Sequence, residues 1–182
     1  MRTPDWATYG SEGRERRFLT SIDLDPPQQE KTNFRLERRW QEIKANEVQY
    51  KEYYLDDAEY AVVGFGTSGR IALSAVRAAR AKGIKIGLFR PVSLAPYPEK
   101  ELYELSKRLK GLLVVEMNAG QMLEDVLNIT RRQIPVEFFG RMGGILPMPE
   151  EIEAEIDRMV NEPAATDGHP RDRWLARFGK IN

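Results

Sequence analysis

The chain has 182 residues, 41% of them apolar and 31% charged, and its 28 Lys and Arg balance its 28 Asp and Glu. With a formal charge of zero, nothing draws the whole chain to nucleic acid or to an anionic membrane, and no apolar run approaches the roughly 18 residues that suggest a membrane span. No cysteine and one histidine, His169, exclude disulfides, thiolate metal sites and Fe–S ligation, and leave little for zinc or a Ser–His triad.

The opening stretch MRTPDWATYG lacks the apolar core of a signal peptide, so a cytoplasmic protein is expected. Residues 1–27 are polar and turn-rich and read as an extended arm. From Gln28 to about Tyr54, the residues Phe34, Leu36, Trp40, Ile43, Glu47 and Tyr50 form an imperfect helical stripe amid dense opposite charges. That pattern predicts one long exposed helix with a sticky face, and Trp40, with its large apolar area, is its expected interface anchor. Residues 1–57 are thus read as arm and connector helix, 58–160 as a compact α/β domain and 161–182 as a tail.

In the compact domain, YAVVGFG is a buried-type strand. The following helix, TSGRIALSAVRAARAKG, is apolar at Ile71, Leu73, Ala75, Val76 and Ala79 and is stopped by Gly83. IKIGLFR is a second strand, SLAPYP a proline-punctuated loop, and Pro98 opens the helix PEKELYELSKRLKG. LLVVEM, GQMLEDVLNITRR and PVEFFG continue as strand, helix and strand, and Pro149 begins PEEIEAEIDRMV, whose carboxylates suit a helix N-terminus. The tail is expected to be mobile or docked through Trp174, Leu175 and Phe178, with His169 exposed and chemically idle. Alternating strands and helices indicate a parallel sheet covered on both faces.

Gly64, Gly66 and Gly69 spell G-x-G-x-x-G after the first strand, where a dinucleotide phosphate would meet helix N–H groups. The acid that usually ends the second strand of such a site is missing, because that strand closes Leu88-Phe89-Arg90-Pro91. A packing turn is therefore expected, with a Rossmann-like NAD(P)-binding domain of an unrelated oxidoreductase as the alternative. The third strand ends in EMNAGQ, placing Glu116, Asn118 and Gln121 at the carboxyl edge of the sheet. A buried glutamate needs partners, and Arg141, leaving the fourth strand at the same edge, is a candidate. Ser68, Ser74 and Ser93 have no histidine base within view.

The runs RP-x-x-L-x-P-x-P (Arg90, Pro91, Leu94, Pro96, Pro98) and E-M-N-x-G-Q (Glu116 to Gln121), with the glycine turn and FFGRMGGILPMPEEI, carry a family resemblance. The chain resembles the C-terminal part of the alpha subunit of 2-oxoacid:ferredoxin oxidoreductases, in the 2-ketoisovalerate and 2-oxoglutarate branch. The resemblance covers roughly residues 5–160, because DWATYGSEGR and the following charged helix are similar to the connector of that family. It implies a three-layer, mostly parallel α/β domain like the C-terminal domain of transketolase, with an N-terminal helical connector. It also implies oxidative decarboxylation of a 2-oxoacid: thiamine diphosphate forms the substrate adduct, Fe–S clusters pass electrons to ferredoxin, and coenzyme A takes the acyl group. The domain that contacts the thiamine pyrimidine has no counterpart here, and the resemblance assigns the diphosphate and magnesium to another subunit. No catalytic, cofactor or metal residue is therefore carried over. The chain is expected to be a fragment, an engineered piece or a naturally split subunit, non-catalytic by itself. Its expected partners are the thiamine-diphosphate-binding and Fe–S subunits. Arg90, Glu116, Asn118, Gln121, Arg141 and Trp40 are the expected interface or cleft residues.

Overall fold

The computed structural model describes residues 10, 12–16, 18, 21–162 and 167–178. Most of DWATYGSEGR lies outside them. The chain divides into two units, residues 1–42 and 43–182. Helix α1 (Pro26–Asn46) buries none of its residues, and Phe34 and Leu36 on it are exposed. Its surface is laced by contacts one turn apart, such as Gln29 to Asn33 and the Arg38 guanidinium to the Phe34 carbonyl.

The expected helix over Gln28–Tyr54 ends early, at Asn46, because Tyr50–Tyr53 is a strand, β1. This short strand pairs antiparallel with β3 (Ile86–Pro91), matching Tyr50 to Pro91 and Tyr53 to Leu88. Two contacts explain the pairing. Tyr50 stacks on Phe89 at 5.4 Å between ring centroids, and Gly87 leaves room for the backbone of Tyr53 and Tyr54, whose carbonyl oxygens lie only 2.8 and 2.7 Å from where a β-carbon would stand. The Gln49 backbone is also tied to Ser93, which gives that serine a structural role.

The other strands are β2 (Tyr60–Val63), β4 (Gly111–Glu116) and β5 (Val136–Gly140), and the sheet order is β1-β3-β2-β4-β5. All pairs except β1 with β3 are parallel. Every residue of β4 and β5 is buried, as expected of parallel strands covered on both faces. Helix α2 (Gly66–Ala81) leads from β2 to β3, whereas α3 (Glu99–Ser106) crosses back to β4 and α4 (Gln121–Ile129) goes on to β5. Right-handed crossovers running in opposite directions must lie on opposite faces. Accordingly α2 packs with α5 (Pro149–Asn161), and α3 packs with α4. This is a three-layer, mostly parallel α/β fold.

The inner stripe of α2 is Ser68, Gly69, Ala72, Ala75, Val76 and Ala79, with Ile71 and Leu73 only half-buried. Small residues let the helix axis approach the sheet, and the larger pair is displaced to the flank. The tail forms a docked helix, α6 (Pro170–Phe178), against the outer strand β5. Trp174 is buried edge-on to Phe138 and Phe178 packs on Phe139, while Leu175 stays exposed. Arg173 donates to the Val136 carbonyl at 2.7 Å, so the helix covers a sheet edge that would otherwise present unpaired backbone groups.

Candidate functional site at the carboxyl edge of the sheet

The parallel strands β3, β2, β4 and β5 deliver their carboxyl ends to one edge, the place where open α/β sheets keep their functional loops. The reversal of connection direction falls between β2 and β4. The charged residues before the strands lie at the opposite edge and pair there, Asp57 with Arg80 and Glu59 with Lys110 and Lys85.

At the β2–α2 turn the chain crosses itself. A β-carbon on Gly69 would overlap the Gly64 carbonyl oxygen and lie 2.9 Å from its carbon, and Gly66 has φ +53°. Arg90, ending β3, lays its side chain over the same turn: its Cγ is 3.1 Å from that β-carbon position and its Nη2 is 3.4 Å from the Gly66 carbonyl. Close packing accounts for Gly64 and Gly69, and the positive φ accounts for Gly66. Together with the Phe89-Arg90-Pro91 strand end, these features favour a packing turn over the NAD(P)-binding alternative.

Glu116, the last residue of β4, is fully buried. Its two carboxylate oxygens accept the N–H groups of Met122 and Leu123, each at 2.9 Å, so the carboxylate caps the N-terminus of α4. Burial pushes its pKa up, and the N–H bonds from Met122 and Leu123 together with contacts to Asn118 and Gln121 oppose that rise. Asn118 Oδ1 accepts from Gly120 N at 2.7 Å and Gln121 N at 3.0 Å, folding the loop into a tight turn that Gly120 completes with φ +96°. Gln121 opens α4 and is exposed.

Arg141 is not the partner of Glu116. Only its backbone N–H reaches that residue, donating to the Glu116 carbonyl at 3.1 Å. Its guanidinium pairs with Glu151 on α5 and lies over Phe139 and Phe178. The reason is local: α4 already satisfies Glu116, whereas α5 offers a half-exposed carboxylate that also caps Met148 N. The structure thus joins Glu116, Asn118 and Gln121 in one loop, sets the Arg141 backbone beside them and places Arg90 at the neighbouring turn. Trp40 belongs to the other unit.

Several residues at this edge carried no signal in the pattern. Tyr97 is buried with its hydroxyl lacking a hydrogen-bond partner, and burial, Asp125 and Glu116 raise its pKa. His169 is half-buried rather than exposed, with Nε2 3.3 Å from Glu124. Arg171 reaches the EMNAGQ loop from α6. Around them Val92, Leu94, Met117, Met142, Ile145 and Met148 expose apolar surface in the loops that follow β3, β4 and β5.

Among the described residues no set of side chains fits a resident metal or cluster. There is no cysteine, and among the described residues no group of three or more His, Asp or Glu is placed to hold a metal ion. The N-termini of α4 and α5, which would otherwise suit a diphosphate, are filled by the chain's own Glu116 and Glu151. Among the described residues no helix is long and apolar enough to cross a membrane.

The family model for pyruvate:ferredoxin oxidoreductase core domain II matches residues 58–152. The chain is 40% identical over 157 residues to the ketoisovalerate oxidoreductase subunit VorB of Methanothermobacter marburgensis, an overlap of 86% of this chain and 44% of that protein. It therefore spans less than half the length of that relative. The backbone is similar to a 2-oxoglutarate:ferredoxin oxidoreductase from Magnetococcus marinus, solved with 2-oxoglutarate, coenzyme A and succinyl-CoA bound (TM-score 0.63, 17% identity, 76% of this chain and 24% of that one). A split-gene transketolase, in an inactive beta4 tetramer, shares the fold at TM-score 0.52 and 18% identity, over 60% of this chain and 40% of its own. The sequence match and the transketolase-like sheet agree, and the chain belongs to the pyruvate:ferredoxin oxidoreductase core domain II family, on its ketoisovalerate and 2-oxoglutarate branch.

Proposed function

We propose that this chain is a non-catalytic assembly domain of a thiamine-diphosphate-dependent 2-oxoacid:ferredoxin oxidoreductase. In that role it holds subunits together and shapes the rim of the cleft in which a 2-oxoacid is oxidatively decarboxylated to acyl-CoA with reduction of ferredoxin. The single observation that carries the reading is the carboxyl edge. The Glu116, Asn118 and Arg141 side chains brace their own segments, while Met142, Ile145 and Met148 beside them are each at least half exposed. An edge built this way suits burial against another protein surface better than bond-making. Arg90, Asn118, Gln121 and Arg141 would line the contact, with Glu116 setting the shape of the loop from beneath. On α1, where no residue is buried, Trp40 would anchor a second contact. Thiamine diphosphate, magnesium and the Fe–S clusters would sit on partner subunits, and ferredoxin and coenzyme A would be met through the complex.

The test is reconstitution. The purified chain with 2-oxoisovalerate, thiamine diphosphate, coenzyme A and viologen is expected to show no viologen reduction. Supplied with the thiamine-diphosphate-binding and Fe–S subunits and a pyrimidine-contacting domain of the same family, it is expected to co-purify with them and to restore turnover. Ile145→Glu should weaken that assembly by about tenfold or more. Viologen reduction by the chain alone, or failure to associate with any of those subunits, overturns the reading.

A further inference from the structure

The helix α6 lies beyond residues 58–152, the span of the family match, yet it is tied to the candidate rim. Arg171, in its first turn, donates from Nε to the Ala119 carbonyl at 2.6 Å and from Nη2 to the Gly120 carbonyl at 2.8 Å. The same Nη2 is 2.6 Å from Glu124 on α4, which His169 also approaches at 3.3 Å. His169 Nδ1 in turn accepts the Arg171 backbone N–H at 3.2 Å. One planar guanidinium thus spans two consecutive loop carbonyls and a carboxylate, a geometry that lysine cannot reproduce.

The loop it grips has no slack. From inside, Asn118 holds Gly120 N and Gln121 N. From below, a β-carbon at Gly140 would stand 2.6 Å from the Asn118 carbonyl oxygen, so the loop rests directly on the end of β5. Arg171 closes the remaining side.

The helix that carries Arg171 is itself anchored along its length. Glu137 of β5 and Glu155 of α5, both buried, bind the guanidinium groups of Arg158, Arg173 and Arg177, at 2.8 Å for Arg158 to Glu137 and 3.0 Å for Arg177 to Glu155. Removing one member from such a buried network leaves uncompensated charge, so the helix is held in one place. Trp174 on Phe138 adds the apolar contact.

We propose that Arg171 is a positioning residue: from α6 it locks the Asn118–Gln121 loop, so that docking of residues 170–178 sets the shape of the rim. The functional weight of this clamp rests on the rim being the contact surface proposed above, but the clamp itself is measured without partners.

The amides of Gly120, Gln121, Met122 and Leu123 bond to Asn118 and Glu116 and not to Arg171, so they report loop opening indirectly. Hydrogen–deuterium exchange of the whole chain, read at these four amides, compares wild type with Arg171→Met and with Leu175→Ala, an exposed position on the same helix. Arg171→Met is expected to speed their exchange by about tenfold, leaving the β4 amides 111–116 unchanged. Leu175→Ala is expected to leave the four amides as they are. A change below twofold in Arg171→Met, equal acceleration in β4, or equal loosening by Leu175→Ala would overturn the proposal. Loss of the clamp with intact subunit assembly would separate its fate from that of the assembly reading.

Discussion

Gly69→Ala tests whether the glycine turn is a packing device. The added β-carbon would overlap the Gly64 carbonyl oxygen and stand 2.9 Å from its carbon and 3.1 Å from Arg90 Cγ. Carbon atoms pack comfortably at about 3.5–4.0 Å, so the first turn of α2 must withdraw from β2 by more than half an ångström. Two of the three clashing atoms are backbone, and only the arginine side chain can yield cheaply. Overpacking of this kind costs about 1–3 kcal/mol, against which alanine returns up to about 1 kcal/mol of helix propensity. The expected net loss is about 1–2 kcal/mol, or a Tm lower by roughly 2–8 °C for a chain of this size. Gly66 supplies the control. A β-carbon there meets nothing within 4 Å, but its φ is +53°, so Gly66→Ala should lose about 1–2 kcal/mol to backbone strain and Gly66→Asn markedly less. No such rescue by asparagine is expected at Gly69. Urea unfolding followed by far-UV circular dichroism reads these differences. A Gly69→Ala protein more stable than wild type by about 1 kcal/mol, the propensity gain alone, would refute the packing argument.

Other outcomes follow from the same geometry. Because burial raises the Glu116 pKa above the usual 4.5, the neutral form suits the fold; that contribution is complete below the usual value and is lost as pH rises through the raised one. The stability of wild type relative to the non-titrating Glu116→Gln should therefore fall as pH rises from about 4.5 through the raised value, and a flat or rising difference would contradict the assignment. Trp174→Ala should cost about 3–5 kcal/mol by removing a buried ring from Phe138, seen as a lower unfolding midpoint; a loss under about 1 kcal/mol would mean α6 is not docked as described. Titrating NADH against the chain, watched by its fluorescence, should give no saturable micromolar binding, and a saturable curve would restore the dinucleotide reading of the glycines.

Much of the architecture was legible because it is written locally. Apolar runs such as LLVV, helical stripes and the prolines at 98 and 149 identify strands and helices one at a time, and the handedness of crossovers then allows few arrangements. The EMNAGQ loop was visible as polar residues ending an apolar strand, and its place at the carboxyl edge followed from parallel strands alone. What each side chain bonds to was not legible. Glu116 is neutralised by the helix six residues after it rather than by Arg141, which turns to Glu151, and Arg171 reaches back 52 residues to the Ala119 carbonyl. The edge strand Tyr50–Tyr53 was hidden for the same reason, since its four residues have no apolar run and are strand only because β3 lies alongside with a glycine to admit them. Periodicity is a property of neighbouring residues and survives in the linear text. A hydrogen-bond or ion-pair partner is chosen by distances of about 3 Å between segments far apart in the chain, and those distances exist only once the layers have packed.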